Sequence, residues 1–159
     1  MVQRIIVEGA DQQGKSTLCK FLSDKLGFNV VHFGKPSEDF DYIKDYLVPP
    51  KTICDRSFLS EVVYSKIIGR HCLAPQTLLC NILEKQNTLV ILLDRGDDFV
   101  FDSTRKEDYT EKEIRATISW YRLVFNQIEI RNKMKLNPNS PLYNSIIEQI
   151  VIDIQNGNL

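Results

Sequence analysis

The sequence lacks a long apolar segment and a strong charge of either sign. No apolar run approaches the ~18 residues of a membrane-spanning helix, and the amino terminus lacks the apolar core of a signal peptide. We therefore expect a soluble, cytoplasmic protein with no membrane partner. With 159 residues, 43% of them hydrophobic, and a net charge of −1, the chain can form one good core, so we predict a single domain over residues 1–159.

Recognisable cysteine spacings, repeats and basic tracts are also missing. Cys19, Cys54, Cys72 and Cys80 show no C-x-x-C spacing, which favours packed, reduced thiols over a metal site or disulfides. The pI near 6.1 lacks the lysine and arginine excess of proteins that follow a nucleic-acid backbone. No Asn-Lys-x-Asp stretch is present, so a GTPase is disfavoured.

One motif near the amino terminus organises the rest of the chain. The pattern Gly9-x-x-x-x-Gly14-Lys15-Ser16 follows the apolar run Ile5–Val7 and precedes a predicted helix. Glycines allow successive backbone N–H groups to turn inward, and the helix adds its unpaired N–H groups and positive dipole end. We predict that this loop binds ATP and Mg²⁺, with Lys15 on the β- and γ-phosphates and Ser16 as a metal ligand. The predicted nucleotide-binding residues are Gly9, Asp11, Gln12, Gln13, Gly14, Lys15, Ser16 and Thr17.

Apolar runs and amphipathic segments alternate along the chain. The predicted strands cover residues 5–7, 28–33, 52–54, 88–93 and 151–154, and the predicted helices cover 15–26, 37–48, 57–69, 75–86 and 110–136, with a short helix after 142. Thr110 and Glu113 form a predicted capping box at the start of the long helix. This alternation predicts an α/β fold with a mainly parallel five-stranded sheet and helices on both faces.

Polar residues follow several of these strands. In a parallel sheet, ligands bind at the carboxyl ends of the strands. Residues 9–17, His32–Lys35, Asp55–Arg56 and Asp94–Arg95 all lie at this predicted edge. We therefore expect them to share one site.

Two of these segments resemble the thymidylate kinase family. The loop Gly9-Ala10-Asp11-Gln12-Gln13-Gly14-Lys15-Ser16-Thr17 is similar to the family's phosphate loop, which carries Asp at its third position. A second stretch resembles the family's Asp-Arg-(Tyr/His)-x-x-Ser-x-x-x-Tyr motif: it reads Cys54-Asp55-Arg56-Ser57-Phe58-Leu59-Ser60-Glu61-Val62-Val63-Tyr64. A weaker match, Arg105-Lys106-Glu107-Asp108-Tyr109, resembles the segment after the family's lid. The resemblance implies a three-layer P-loop kinase fold with a shortened lid at about residues 94–109, like that of small bacteriophage kinases.

The resemblance also implies roles for individual side chains. Asp55 holds a metal-bound water or accepts a proton from an attacking hydroxyl, although it could instead cap the following helix. Arg56 clamps the acceptor phosphate, with a surface ion pair as the alternative. Asp11 contacts the acceptor sugar. Ser60 and Tyr64 lie near the acceptor base, with core packing as the alternative for Tyr64.

The phosphate loop of this chain carries no arginine. Some thymidylate kinases place one there, at the position where this sequence has Gln12. The charge that stabilises phosphoryl transfer must then come from the lid, and we expect Arg105 to supply it together with Lys106, with Arg95 as a second choice. The alternative is that these are solvated loop charges.

The segment after the second strand departs from the family. Thymidylate kinases carry an Arg-Glu-Pro-Gly-Gly-like stretch there, whereas this chain reads His32-Phe33-Gly34-Lys35-Pro36-Ser37. Lys35 can replace the missing arginine as a point charge, and Phe33 either stacks on a base or packs in the core. Ser65 also replaces a frequent glutamine of the family. The substrate is therefore less well defined than the reaction.

Three functions agree with these features. The favoured one is an ATP-dependent kinase for a pyrimidine deoxynucleoside monophosphate, either dTMP or a modified analogue. The second is a kinase for the hydroxymethyl group of 5-hydroxymethyluracil in DNA, for which Asp55 would be the base. The third is a nucleotide-binding module without turnover. The family resemblance also raises the possibility of a homodimer.

Overall fold

The computed structural model describes residues 1–37, 39–105 and 109–159, which form ten helices and strands. In chain order these are β1 (Arg4–Glu8), α1 (Lys15–Leu26), β2 (Asn29–His32), β3 (Thr52–Asp55), α2 (Phe58–Ile67), α3 (Gln76–Lys85), β4 (Thr88–Leu93), α4 (Glu111–Gln127), β5 (Lys133–Leu136) and α5 (Tyr143–Asn156). Lys106, Glu107 and Asp108, which are part of the predicted lid, lie outside the described residues.

The five strands form one sheet in the order β2-β3-β1-β4-β5. Every neighbouring pair is parallel. All residues of β3 and β4 are buried, as expected for inner strands covered on both faces, whereas the edge strand β2 is exposed along its length. The predicted parallel five-stranded sheet is confirmed.

Helices cover both faces of this sheet. Alternate residues of β1 point to opposite sides, so that Ile5 and Val7 pack with α1 and α5 while Ile6 packs with α2, α3 and α4. The chain therefore forms three layers, as the fold class predicted.

Strands β1 and β3 are neighbours, but the helices that follow them lie on opposite faces. Leu18 of α1 belongs to one core cluster and Phe58 of α2 to the other. The two chain segments diverge after their strands and leave a crevice at the carboxyl ends of β1 and β3. Crevices of this kind are where ligands bind in open α/β sheets.

The position of the fifth strand was predicted wrongly. The proposed strand at residues 151–154 is part of α5, whose Ile147, Ile150, Val151 and Ile154 form one buried helical face. The observed fifth strand, β5, lies within the segment predicted as the end of the long helix. That helix stops at Gln127, where Lys133 Nζ donates to the carbonyls of Phe125 and Ile128 at 2.8 and 2.7 Å.

The predicted helix between Ser37 and Pro49 is absent from the described residues of this segment, which form turns. The Asp41 carboxylate accepts hydrogen bonds from the N–H groups of Ile43 and Lys44, which favours a turn over helix propagation.

The predicted capping box of α4 is confirmed. The Thr110 side chain accepts from the backbone N–H of Glu113, and the Glu113 side chain accepts from the backbone N–H of Thr110.

None of the helices in the described part of the chain is long and apolar enough to cross a membrane.

A substitution of Gly9 can test how tightly the phosphate loop is packed on the sheet. Its φ is +144°, and an added Cβ would lie 2.7 Å from the Leu93 carbonyl oxygen. We expect Gly9→Ala to lower the free energy of unfolding by about 3 kcal/mol or more, because strain and a backbone clash add. Gly27→Ala is the control, since Gly27 also has a positive φ but open space around it. For Gly27→Ala we expect the free energy of unfolding, measured by urea denaturation, to fall by only about 1 kcal/mol. Equal losses of unfolding free energy in the two variants would contradict the close packing of Gly9 against Leu93.

Candidate active site

The loop between β1 and α1 has the backbone conformation of an anion-binding loop. Gly14 adopts a left-handed conformation as the N-cap of α1, and no side chain caps the first turn of that helix. Gln12 also has a positive φ, of 62°, which is uncommon for a residue with a side chain. The loop borders a cavity of about 220 Å³, which we call the phosphate cavity. Its lining residues are Asp11, Gln12, Gly14, Lys15, Ser16, Thr17, His32, Asp55, Arg56 and Arg105.

Lys15 is held inside this loop rather than extended into solvent. Its Nζ donates to the Ala10 carbonyl at 2.7 Å and lies 3.8 Å from a carboxylate oxygen of Asp11. Burial lowers the pKa of Lys15 to about 8, and the nearby Arg56 guanidinium acts in the same direction. The ammonium group is therefore charged at pH 7, and an incoming anion would stabilise it further.

Asp55 is the last residue of β3 and lies beside the loop. Its Oδ2 accepts a hydrogen bond from Ser16 Oγ at 3.1 Å and lies 3.2 Å from His32 Nδ1. Its Oδ1 is buried and has no hydrogen-bond partner among the described residues. The cap of α2 is Ser57, which accepts from the N–H of Leu59. Asp55 therefore does not cap this helix, and its second oxygen remains available to a ligand.

The pair Ser16 and Asp55 fits a magnesium ion. Mg²⁺ prefers oxygen ligands and usually takes one or two from the protein, with water and substrate phosphate completing its coordination. A hydroxyl and a buried carboxylate with one unpaired oxygen match this requirement. The described residues contain no cluster of three or more His, Cys, Asp or Glu side chains suited to a metal, so a site made wholly of such side chains is not seen in this part of the chain.

Arg56 extends from β3 into the same space. Its backbone is left-handed, with φ of 78°, and its N–H donates to the Val7 carbonyl at 3.0 Å. Its guanidinium forms an ion pair with Asp11 and stacks on the Tyr64 ring at 5.1 Å. The two alternatives predicted for Arg56, an ion pair and a role in binding the acceptor phosphate, therefore do not exclude each other. Strained backbone of this kind is found preferentially at functional sites.

A second and larger cavity of about 490 Å³ adjoins the phosphate cavity, and we call it the acceptor cavity. Both cavities are lined by Asp11, His32 and Arg56. Phe33, Lys35, Ser60 and Tyr64 also line the acceptor cavity, so every predicted acceptor-binding residue lies on its wall. Phe33 is half-buried and packs on Tyr46 at 4.9 Å between ring centroids, and Lys35 is exposed.

The sequence did not indicate that Glu8 supports this wall. Its carboxylate is fully buried and accepts hydrogen bonds from Ser57 Oγ at 2.6 Å, Ser60 Oγ at 2.7 Å and Tyr121 OH at 3.2 Å. Burial raises the pKa of Glu8. A charged residue at the end of an otherwise apolar strand was the only signal for this network.

Glu61 and Arg70 were also missed. Glu61 is buried, forms an ion pair with Arg70 and accepts a hydrogen bond from Ser65 Oγ at 3.2 Å. Both charged residues line the acceptor cavity. They provide hydrogen-bond acceptors and donors side by side at its wall.

The residues after β4 divide between two locations. Arg95 lies beside the phosphate loop, where its N–H donates to Gln13 Oε1 at 2.8 Å. Asp94 does not line either cavity and instead receives two hydrogen bonds from Arg122, at 2.7 and 2.9 Å. Arg105 lines the phosphate cavity, whereas its predicted companion Lys106 lies outside the described residues.

Comparison with solved structures identifies the fold. YorR protein from Bacillus subtilis, solved in complex with phosphorylated GDP, superposes with a TM-score of 0.74 at 20% identity over 98% of this chain and 97% of that one. A deoxyadenosine kinase from M. mycoides, solved with dCMP and dCDP, gives 0.57 at 17% identity over 96% and 98%. Thymidylate kinase from Ehrlichia chaffeensis gives 0.55 at 14% identity over 97% and 98%.

At these identities the likeness establishes the fold, which is that of the P-loop kinases and confirms the sequence resemblance at that level. No protein-family model matches the chain, and no curated protein matches it.

The depressed pKa of Lys15 predicts that ATP binding depends on pH. As the pH rises through about 8, Lys15 in the free protein loses its charge, so the affinity for ATP should fall. Between pH 7 and 9.5 we expect the Kd to rise about tenfold or more, with proton uptake on binding near pH 9. Titration calorimetry in EDTA, in buffers of different ionisation enthalpy, measures both quantities. Lys15→Met should bind ATP weakly at both pH values, and a pH-independent affinity of the unsubstituted protein would contradict the assignment.

Proposed function

We propose that the chain transfers the γ-phosphoryl group of ATP to a pyrimidine deoxynucleoside monophosphate, either dTMP or a modified analogue. The observation that carries this proposal is the junction of the two cavities. The phosphate cavity contains Lys15, Ser16 and Asp55, the acceptor cavity is large enough for a nucleotide, and Arg56 lies on the wall of both. Phosphoryl transfer requires two anionic substrates held in line with cations between them.

On the donor side, the loop amides and Lys15 bind the triphosphate. The Lys15 ammonium exchanges its bond to the Ala10 carbonyl for phosphate oxygens, and the N–H groups at the start of α1 point to the same anion. Ser16 and Asp55 hold Mg²⁺, which when bound neutralises charge on the phosphates. Arg105 contributes a further positive charge at the cavity wall.

On the acceptor side, Arg56 and Lys35 bind the monophosphate. The planar guanidinium of Arg56 suits two phosphate oxygens, while Lys35 acts as a point charge from the exposed loop after β2. Asp11, now paired with Arg56, is placed to accept a hydrogen bond from the sugar. Tyr64 and Phe33 offer ring faces to the base, and the Glu61–Arg70 pair offers hydrogen bonds to its edge.

The reaction forms one bond and breaks one. An oxygen of the acceptor phosphate attacks the γ-phosphorus of ATP, the bond from that phosphorus to the bridging oxygen breaks, and ADP leaves with the negative charge. An ionised phosphate oxygen needs no base. Asp55 is therefore free to hold Mg²⁺ in this reaction, and it would serve as a base only for a hydroxyl acceptor, which must lose a proton.

The solved structures support an acceptor of the nucleoside or nucleotide class. The deoxyadenosine kinase of the same fold was solved with dCMP and dCDP, and YorR protein with phosphorylated GDP. All three ligands are nucleotides, and the acceptor cavity is large enough for a compound of this class.

A labelling experiment tests this function. With γ-labelled ATP and Mg²⁺, the protein is offered each deoxynucleoside monophosphate, unmodified DNA, and DNA containing 5-hydroxymethyluracil. We expect label in a pyrimidine deoxynucleoside diphosphate, because Arg56 and Lys35 form a site for a monophosphate. Label in the modified DNA alone would replace this proposal with the DNA kinase, and label in no acceptor, with ATP still bound, would indicate a binding module.

Two substitutions separate donor from acceptor binding. Lys15→Ala should abolish transfer to every acceptor, because it removes the cation of the phosphate loop. Arg56→Ala should raise the KM for the nucleotide acceptor by about thirtyfold or more, because it removes the guanidinium proposed to bind the acceptor phosphate, with a smaller change in the KM for ATP. Arg131→Ala is the matched control, since Arg131 is an exposed arginine paired with Glu84 away from both cavities. Unchanged kinetics in Arg56→Ala would remove that residue from the site.

A further inference from the structure

The side chain of Gln12 connects the phosphate loop to the segment after β4. Its Oε1 accepts a hydrogen bond from the backbone N–H of Asp102 at 2.8 Å, and its Nε2 donates to the backbone carbonyl of the same residue at 3.1 Å. Gln12 itself is 9% exposed, although Asp102 lies on the surface. One side chain thus satisfies both backbone groups of a residue 90 positions away.

Asp102 also organises the turn that follows it. Its carboxylate accepts hydrogen bonds from the N–H and the hydroxyl of Thr104 at 3.0 and 2.6 Å, and its carbonyl accepts from the N–H of Arg105 at 3.4 Å. The turn 102–105 is therefore compact, and its orientation is fixed at one end by Gln12. Arg105, at the other end, lines the phosphate cavity.

Only a primary amide of this length fits the contact. A glutamine side chain offers a donor and an acceptor with the spacing of a peptide group, so it pairs with both the N–H and the carbonyl of Asp102. Glutamate could accept from the N–H but could not donate to the carbonyl, whereas lysine and arginine could not accept. The left-handed backbone of Gln12, with φ of 62°, is a strained conformation of the kind retained where it serves a site.

We propose that Gln12 is a positioning residue that docks the turn 102–105 on the phosphate loop and thereby holds Arg105 at the phosphate cavity. The loop residues 9–14 contain no lysine or arginine, and the charge that Arg105 adds beside Lys15 and Arg56 comes from a different segment, whose position on the loop depends on a contact. This inference rests on the proposed function, because Arg105 matters for catalysis only if a phosphoryl group is transferred there. Gln12 contributes no charge and acts through Arg105.

A double-mutant cycle tests this dependence. We expect Arg105→Ala to lower kcat roughly a hundredfold, and Gln12→Ala to lower it about tenfold with the KM of the acceptor changed less than twofold. In the Arg105→Ala background, Gln12→Ala should change kcat less than about twofold, because its target is already absent. Equal effects of Gln12→Ala in both backgrounds, or no effect in the unsubstituted protein, would overturn the proposal.

Hydrogen exchange measures the docking independently of catalysis. The Asp102 amide should exchange roughly tenfold faster in Gln12→Ala than in the unsubstituted protein, because its acceptor is lost. Gln12→Glu, which keeps the acceptor and the length, should retain part of the protection while losing kcat. Gln155→Ala is the matched control: it removes an amide-to-backbone bond to the Lys25 carbonyl far from the site and should alter neither quantity.

Failure of the proposed function and failure of the Gln12 docking proposal give different results in these experiments. If no acceptor is phosphorylated while the Asp102 amide is protected by Gln12, the proposed function fails and so does the catalytic purpose of the contact. If transfer occurs but Asp102 exchanges equally fast with and without Gln12, the docking proposal alone is overturned.

Discussion

The hydrogen bonds to the buried carboxylate of Glu8 determine how the two halves of the site face each other. Glu8 ends β1 immediately before the phosphate loop. Its carboxylate accepts hydrogen bonds from the hydroxyl groups of Ser57 and Ser60, at the start of α2, and of Tyr121 in α4. A carboxyl group buried here without hydrogen-bond partners would be strongly unfavourable, so the strand end and the two helices are held in one arrangement. The loop after β1, which borders the phosphate cavity, and helix α2, which lines the acceptor cavity, are consequently positioned by the same side chain.

Charges in the crevice are balanced before any ligand is present. Lys15 bonds to the loop carbonyl of Ala10, and Arg56 pairs with Asp11. Phosphate groups can replace these internal partners, so the cations are oriented in advance and need little rearrangement on binding. In the proposed phosphoryl transfer, such preorganisation would be the main source of rate enhancement, because the reaction needs little covalent help from the protein.

Local signals in the sequence predicted the elements that build the site. The glycine motif, the apolar runs of β3 and β4 and the capping box at Thr110 each depend on neighbouring residues, and all agree with the structure. The edge strand β5 was missed because its alternating sequence, Lys133–Leu136, is only four residues long and follows an amphipathic helical pattern, and because its pairing with β4 is a long-range contact. The Gln12–Asp102 contact was not predictable for a related reason, because polar pairing between distant segments leaves no periodic pattern. Glu61 and Arg70 are only nine residues apart, but their ion pair joins α2 to the segment after it and does not have helical spacing.

The central claim is that the phosphate and acceptor cavities hold two nucleotides end to end across Arg56. Binding of a bisubstrate compound, adenosine and deoxythymidine joined by a chain of five phosphates, tests this most directly. If the cavities are continuous, its affinity should exceed that of ATP by roughly a hundredfold, and both ATP and dTMP should compete with it, because the second half binds at high effective concentration. An affinity equal to that of ATP, with no competition from dTMP, would contradict the account.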